Sequence, residues 1–172
     1  MTRPHIVVLG LMGAGKSTLA AALCARLKVP WSDSDRDIET LTGRTGRELA
    51  ADPTVGVDGL HQLEEAVLLG ALVAAGPSVV SAAGWVVESG LCRSIMRHRA
   101  AVVWLHAPAS ILLERSRTAS HRRPLSLPEV EQLIERREPL FRATAHLVLN
   151  ATDPVDRLVE RVIELRTDHS SR

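Results

Sequence analysis

Residues 10–18 have the sequence G-L-M-G-A-G-K-S-T, and this stretch constrains the fold more than any other part of the chain. Its spacing, G-x-x-x-x-G-K-S, is that of a phosphate-binding P-loop. The apolar residues 6–9 precede it and the helix-forming residues 19–23 follow it, which is the strand–loop–helix context that the motif requires. The glycines let the backbone curl so that successive N–H groups point at an anion, next to the positive end of the helix. The stretch therefore predicts a nucleoside triphosphate site.

Individual side chains in this loop have distinct expected roles. Lys16 supplies a point charge for the β- and γ-phosphates, and the Ser17 hydroxyl is a ligand for Mg²⁺. The residues expected to contact the phosphates are Gly13, Ala14, Gly15, Lys16, Ser17 and Thr18. The alternative is a glycine-rich turn that merely joins a strand to a helix, although every fixed position of the motif is present.

Short apolar runs alternate with helical segments along the chain, and this alternation predicts the fold class. The expected strands are residues 5–9, 29–32, 79–82, 101–105 and 147–149. The expected helices are residues 16–28, 36–41, 47–51, 60–75, 89–98, a segment opened by Pro108, 129–142 and 154–166. Repeated βαβ units predict an α/β protein with a five-stranded parallel sheet in a three-layer αβα sandwich. The 172 residues suit a single domain with a frayed tail at about 168–172.

The charge and cysteine content argue against several classes of protein. The formal net charge is +1, whereas a nucleic-acid-binding surface usually carries a large positive excess. Cys24 and Cys92 form no C-x-x-C pair, which argues against a zinc site or a disulfide scaffold and predicts two buried thiols. The first apolar run is too short for a signal peptide, and no run has membrane-spanning length. We therefore expect a cytoplasmic protein with no nucleic-acid or membrane partner, and we take it to be a monomer.

Two carboxylates follow the second expected strand. Asp33 and Asp35 flank Ser34, and side chains two residues apart on extended chain point the same way, here toward the P-loop. One carboxylate suits the water shell of Mg²⁺, and the other suits a substrate hydroxyl as hydrogen-bond acceptor and base. The alternative is that one or both of them cap the following helix.

A basic segment between two expected helices predicts a lid at about 116–127. Its basic side chains are Arg115, Arg117, His121, Arg122 and Arg123. Like charges in a loop repel each other unless an anion neutralises them, so a lid that closes over triphosphate fits, with an arginine on the γ-phosphoryl group. A solvated basic loop is the alternative.

One further feature narrows the choice among P-loop proteins, and another leaves two alternatives open. The third expected strand ends without the acidic residue that many motor ATPases carry there, which favours a small-molecule kinase over a motor or a switch GTPase. Arg136 and Arg137 precede Pro139, and the pattern leaves open whether they pair on the helix surface or one of them points into the site.

Together these motifs resemble the shikimate kinase family, nearly from end to end. The matching stretches are G-L-M-G-A-G-K-S-T, W-S-D-S-D-R-D-I-E, L-x-x-L-E-E around Glu64, R-P-L from Arg123, R-E-P-L-F from Arg137 and A-H-L-V-L-N-A-T-D. The D-x-D combined with R-P-L and R-E-P-L-F is far more specific than the P-loop alone. The resemblance implies the P-loop kinase fold, ATP and Mg²⁺, and transfer of the γ-phosphoryl group to a hydroxyl of a small cyclic polyol, shikimate or a shikimate-like compound.

The resemblance also implies roles in the nucleotide half of the site. Asp33 would serve Mg²⁺ through water, beside Ser17. Arg123 would be the lid arginine on the phosphates, and it would act in catalysis with Lys16 and Asp35. Arg115 and the loop Thr152-Asp153-Pro154 would border the adenine, so Arg115 and Pro154 are expected to contact ATP.

In the acceptor half, the resemblance implies that Asp35 holds the acceptor hydroxyl and that Arg137 binds the substrate carboxylate. Two departures fall here. The family has F-R-x-x-E on the long helix, whereas this chain has His61 in place of the arginine, and histidine lacks the planar fork for a carboxylate. The family has three glycines after the third strand, whereas this chain has Ala83-Gly84-Trp85. The expected substrate contacts are therefore Asp35, His61, Gly84, Trp85 and Arg137, in an altered acceptor pocket.

Two alternatives remain open at the level of sequence. One is a nucleotide-binding protein of the same fold without transfer activity, against which the lid and the D-x-D argue. The other is a gluconate-type or nucleotide-type small-molecule kinase, which the R-P-L and R-E-P-L-F stretches match less well.

Overall fold

A computed structural model describes residues 4–117 and 125–170, with side chains as far as Arg166. Its strands are β1 (His5–Leu9), β2 (Trp31–Asp33), β3 (Val79–Ser81), β4 (Ala100–His106) and β5 (Leu147–Asn150). Its helices are α1 (Lys16–Leu27), α2 (Ser34–Thr42), α3 (Gly46–Ala51), α4 (Gly56–Val73), α5 (Gly90–Arg99), α6 (Ala109–Ser116), α7 (Leu127–Thr144) and α8 (Val155–Ser170), with a 3-10 helix at Gly84–Val87.

The five strands form one parallel sheet in the order β2-β3-β1-β4-β5. Strand β1 lies at the centre, with Val7 beside Val80 on one side and Val102 on the other. Helix α1 packs with α8 in one layer, whereas α4, α5 and α7 belong to the other. The predicted fold class, a three-layer αβα sandwich with a five-stranded parallel sheet, is confirmed.

The core has two parts. The larger part covers both faces of the sheet and includes all of Ile6–Leu9, which is why the first strand is apolar without alternation. A smaller cluster of Ile38, Leu49 and Leu60 joins α2, α3 and α4 at the carboxyl edge of the sheet. Helices α2 to α4 therefore share a small core of their own, while Leu68 and Leu72 of α4 belong to the larger part.

The structure corrects two expected boundaries. Helix α4 begins at Gly56, four residues before the expected start at residue 60. A Cβ at Gly59 would lie 2.8 Å from the Val55 side chain, so this glycine lets Val55 pack against the first turn of the helix. The stretch after β3, for which no helix was expected before residue 89, contains a 3-10 helix from Gly84 to Val87, and Val86 and Val87 are fully buried there.

Two expectations at the lid and the tail have different outcomes. The expected lid lies largely outside the described residues, because α6 ends at Ser116 and the description resumes at Leu125. Arg123 lies in that gap.

The closing helix α8 continues to Ser170, past the expected end at 166. In the described parts of the chain, none of the helices has the length and apolar character needed to span a bilayer.

Candidate active site

The carboxyl ends of β1, β2 and β3 open onto one cavity of about 740 Å³. This is where ligands bind in open parallel sheets. We call the part lined by Gly13, Gly15, Lys16, Ser17 and Thr18 the P-loop end. We call the part lined by Asp35, His61, Gly84, Trp85 and Arg137 the acceptor end. Twelve of the fifteen sequence-predicted site residues lie in this cavity: those ten together with Asp33 and Arg115.

The backbone of the P-loop requires glycine at its centre. Gly13 has a φ of 77°, and a Cβ there would lie 2.4 Å from the Leu112 carbonyl oxygen. Gly15, with a φ of 88°, is the N-cap of α1 and has open space around it. Lys16 lies over the loop, where its Nζ donates to the Leu11 carbonyl oxygen at 3.2 Å. Backbone N–H groups, a helix N-terminus and an ammonium group thus converge at this end, as a triphosphate requires.

Three oxygen-bearing side chains meet next to the P-loop. The Ser17 hydroxyl donates to Asp33 Oδ2 at 2.5 Å and lies 3.4 Å from the Ser81 hydroxyl. Hydroxyl and carboxylate oxygens are the ligands that Mg²⁺ accepts, and Mg²⁺ takes few of them from protein when phosphates and waters supply the rest. Over residues 4–117 and 125–170, no group of three or more His, Cys, Asp or Glu side chains could hold a metal alone. This arrangement fits Mg²⁺ bound together with a nucleotide.

The two aspartates do not lie on extended chain as expected. Asp33 ends β2 and caps α2, accepting from the Arg36 N–H at 3.4 Å, whereas Asp35 lies in the first helical turn. The reason is the intervening Ser34, which is buried and whose hydroxyl donates to the Ser81 carbonyl oxygen and accepts from the Ala83 N–H. These bonds start the helix one residue after the strand. Both carboxylates nevertheless line the cavity, so the helical turn brings them to the same place by another geometry.

Two rings form one wall of the acceptor end. His61 from α4 stacks on Trp85 with 4.2 Å between ring centroids and 10° between the planes. Gly84 lies beside them, and a Cβ there would meet the Gly10 carbonyl oxygen at 3.1 Å and Arg137 Nη1 at 3.6 Å. Arg137, Gly84 and the stacked rings are therefore contiguous, and they adjoin the P-loop.

The Arg137 guanidinium is held by a carboxylate of its own chain. Its Nε donates to Glu88 Oε1 at 2.6 Å, and Arg136 Nη2 donates to the same oxygen at 2.6 Å. Burial lowers the pKa of Arg137, which Glu88 partly offsets. Burial raises the pKa of Glu88, but the hydrogen bonds from Arg137 and Arg136 outweigh it and hold that pKa below its usual value. Both alternatives for this arginine pair thus hold at once, because Arg137 lines the cavity while pairing with Glu88.

Known proteins resemble this chain over nearly its full length. A sequence profile of the family described as "Shikimate kinase" matches residues 12–166. Shikimate kinase 2 of Sodalis glossinidius is 32% identical over 167 residues, covering 93% of this chain and 94% of the relative. The chain belongs to the shikimate kinase family. Shikimate kinase of Bradyrhizobium diazoefficiens is 31% identical over 169 residues, covering 95% of this chain and 80% of the relative.

Solved structures agree with this assignment. The shikimate kinase of Acinetobacter baumannii, in complex with shikimate, superposes with a TM-score of 0.90 at 26% identity, covering 99% of this chain and 97% of that one. A gluconokinase of Sinorhizobium meliloti has a TM-score of 0.61 at 17% identity, covering 99% of this chain and 96% of that one, so it shares the fold alone. The family resemblance inferred from the motifs is confirmed.

Three predicted site residues are not among those that line the cavity. Two of them, Ala14 and Pro154, lie elsewhere, and the third, Arg123, lies outside the described residues. Ala14 is buried, and its N–H donates to the Leu11 carbonyl oxygen at 3.2 Å. Pro154 precedes α8 and is absent from the cavity lining, although Arg115 Nη1 donates to the Ala151 carbonyl oxygen at 2.9 Å and so ties α6 to this loop. Arg123 lies outside the described residues, and its role stays a prediction.

Sequence reasoning missed four residues of the site. Ser34 and Ser81 bond across the ends of β2 and β3, and Glu88 pairs with Arg137 from 49 positions away. No local pattern signals such distant partners. Glu64 belongs to the L-x-x-L-E-E stretch, and it occupies the buried stripe of α4 with Leu60, Leu68 and Leu72. A carboxylate at a core position of an amphipathic helix was a signal that could have singled it out.

Proposed function

We propose that this chain is an ATP-dependent kinase that transfers the γ-phosphoryl group to a hydroxyl of a small cyclic polyol, shikimate or a shikimate-like compound. The observation that carries the proposal is the single cavity, in which Asp35 at the acceptor end lies in the same space as Lys16 and Ser17. Phosphoryl transfer needs the acceptor hydroxyl and the triphosphate in line within one enclosed site.

Each residue of the P-loop end has a role in this reaction. Lys16 neutralises charge on the β- and γ-phosphates, and the backbone from Gly13 to Thr18 cradles them. Ser17 and Asp33 would hold Mg²⁺ when a nucleotide is bound. When bound, the ion offsets the negative charge of the phosphates. Arg115 borders the nucleotide, together with the loop that contains Pro154.

At the acceptor end, Asp35 orients the acceptor hydroxyl and accepts its proton. The acceptor oxygen forms a bond to the γ-phosphorus as the bond from phosphorus to the β–γ bridging oxygen breaks, so the products are a phosphate monoester and ADP. His61, Gly84, Trp85 and Arg137 bind the ring of the acceptor. Arg123, carried by a lid at about 116–127, stabilises the charge on the transferring group.

The remaining features of the protein are proposals of the same kind. The chain is a single domain and acts as a monomer. Its proposed location is the cytoplasm, a compartment that supplies ATP. The family of its relatives and the shikimate bound to the Acinetobacter baumannii enzyme support shikimate as one candidate acceptor.

The test is an acceptor screen with the purified protein, ATP and Mg²⁺. Phosphorus NMR detects the phosphate ester from shikimate, aminoshikimate, quinate, gluconate and cyclitols. We expect ADP and one phosphate monoester in equal amounts. The turnover rate should fall by at least about 100-fold in the Lys16→Ala variant. Retained turnover in Lys16→Ala would contradict the proposal. Tight ATP binding without a product from any acceptor would favour a nucleotide-binding protein without transfer activity instead.

A further inference from the structure

The cation of the acceptor end is already paired within the protein. Glu88 Oε1 accepts from both Arg137 Nε and Arg136 Nη2 at 2.6 Å. The Arg137 and Glu88 side chains are 11% and 22% exposed, whereas that of Arg136 is 60% exposed. Solvent screens an exposed charge far more than a buried one. The pair that matters electrostatically is therefore Arg137 with Glu88, and its net charge is zero.

A second carboxylate acts on the same guanidinium. Glu64 on α4 is fully buried, and its negative charge stabilises the charged form of Arg137. Among the described side chains with little exposure at the acceptor end, the Arg137 guanidinium thus faces two carboxylates, those of Glu88 and Glu64. Asp35 adds a further carboxylate to the cavity wall. The described residues give this end no positive excess.

Among the described residues that line this end of the cavity, the remaining cation is Arg47 of α3. It lines the cavity but is exposed, so water weakens its attraction for an anion. Around it the wall consists of small side chains, at Gly46, Ala50 and Ala51. These leave room for an acceptor without offering it a charge.

The stacked rings of His61 and Trp85 offer a different kind of contact. A flat pair of this kind binds the face of a ring through apolar and dispersion contacts, which do not depend on charge. An uncharged ring gains from this wall as much as an anionic one does. A carboxylate at the Arg137 position must in addition lose its water while Glu88 and Glu64 repel it.

We propose that the preferred acceptor of this kinase is an uncharged cyclic polyol, with no carboxylate where its ring meets Arg137, because Glu88 compensates that arginine and the His61–Trp85 stack binds the ring face. This inference rests on the proposed kinase function and narrows its substrate class. Arg137 then serves as a hydrogen-bond donor to hydroxyls through the nitrogens that Glu88 leaves available.

The first experiment compares shikimate with its methyl ester, which has the same ring and hydroxyls but no negative charge. We expect kcat/KM for the ester to exceed that for shikimate by at least about tenfold, mainly through KM. Equal values, or a preference for shikimate, would overturn the inference. No variant is needed, so a folding defect cannot confuse the result.

The second experiment removes the compensating charge. Glu88→Gln keeps a hydrogen-bond acceptor for Arg137 but removes one of the two carboxylates that face its guanidinium. We expect kcat/KM for shikimate to rise about tenfold while that for the ester changes by less than about twofold. A fall for both acceptors would show that Glu88 only positions Arg137, and it would overturn the inference.

The matched control is Glu138→Gln on α7. Glu138 pairs with Arg142 at 2.8 Å, neighbours Arg137 in sequence, and does not line the cavity. The ratio of kcat/KM for shikimate to kcat/KM for the methyl ester should therefore stay at the wild-type value. If Glu138→Gln shifted this ratio as much as Glu88→Gln does, loss of any carboxylate on this side would produce the shift. That result would also overturn the inference.

Failure of the kinase proposal gives a different result. If the protein phosphorylates neither shikimate, its methyl ester nor any cyclitol while still binding ATP, both the kinase proposal and this inference fall. If it phosphorylates shikimate best, the kinase proposal stands and the inference alone falls.

Discussion

The P-loop end of the cavity rests on the large core cluster, whereas the acceptor end rests on both clusters, because Trp85 packs against the large one. The P-loop joins β1 to α1, whose Leu9 and Leu19 are buried in the large cluster around the sheet. The acceptor end is walled in part by α3 and α4, which meet α2 through the small cluster of Ile38, Leu49 and Leu60. A change in that small cluster can reshape the acceptor wall and leave the sheet unaffected. This separation explains how one fold can keep a reaction while its substrate changes.

The two ends also differ in how their charges are used. At the P-loop end the polar contacts join residues of the nucleotide site to one another, Ser17 to Asp33 and Lys16 to the Leu11 carbonyl oxygen. At the acceptor end Arg137 is paired with Glu88, and His61 is stacked on Trp85. In our account the first end binds a fixed ligand, the triphosphate, and the second has been adjusted to a particular acceptor.

Removing the proposed base should have the largest effect and should leave the P-loop end intact. We expect Asp35→Asn to lower kcat by about 100- to 10,000-fold, since a positioned base contributes that much. The KM for ATP should hardly change. Steady-state assays check this, with Glu39→Gln on the exposed part of α2 as control. Activity near the wild-type rate in Asp35→Asn would remove Asp35 from the chemistry.

The converse variant affects the P-loop end alone. Asp33→Asn should raise the Mg²⁺ concentration needed for half-maximal activity by about 10- to 100-fold, as loss of a metal-orienting carboxylate does. The reason is the 2.5 Å bond from the Ser17 hydroxyl to Asp33, which orients the serine ligand. A magnesium titration of activity measures the shift. An unchanged Mg²⁺ requirement would contradict the assignment.

Because the small cluster supports α3 and α4 of the acceptor wall, shortening a side chain there should affect acceptor binding more than ATP binding. Leu49 is 3% exposed and packs in the small cluster without lining the cavity, so Leu49→Ala should loosen α3 against α4. The KM for the acceptor should rise about fivefold, whereas the KM for ATP stays within about twofold of its wild-type value. The control is Leu23→Ala in the large cluster, which should lower the free energy of unfolding by about 2–5 kcal/mol. If Leu49→Ala raised both KM values equally, the two ends would share one support.

The smallest expected effect is a change in stability with pH. Glu88 has a lowered pKa in the folded protein, so it contributes stability above its ordinary pKa of 4.5, and this contribution is lost as the pH falls through the lowered value. The free energy of unfolding of the wild type should therefore exceed that of Glu88→Gln by about 1 kcal/mol or less above pH 4.5. This difference should shrink at lower pH. Urea unfolding at several pH values measures it. A difference that grew toward acid would contradict the sign.

The contrast between the two ends also explains what sequence reasoning could predict. The P-loop motif determines its own backbone, so the places of Gly13, Gly15, Lys16 and Ser17 follow from the sequence alone. The parallel arrangement of the strands follows from the alternation of apolar runs and helices. These predictions depend on residues that are close together in the chain.

The missed features depend on residues that are far apart. Ser34 starts α2 early because its hydroxyl bonds β3 some 47 positions away, which no pattern near Asp33 reveals. The pairing of Glu88 with Arg137 likewise joins the 3-10 helix region to α7. His61 and Trp85 indicated an altered pocket from the sequence, but their stacking and the compensating carboxylate arise only when distant segments fold together.

The central claim is that recognition of the acceptor has changed while the nucleotide end has not, and one double variant tests it directly. His61→Arg combined with Glu88→Gln restores a second guanidinium and removes one carboxylate. We predict that kcat/KM for shikimate rises by more than the about tenfold expected for Glu88→Gln alone, while the KM for ATP stays within about twofold of its wild-type value. An unchanged kcat/KM for shikimate would contradict the account, and so would a change of equal size in kcat/KM for shikimate and in the KM for ATP.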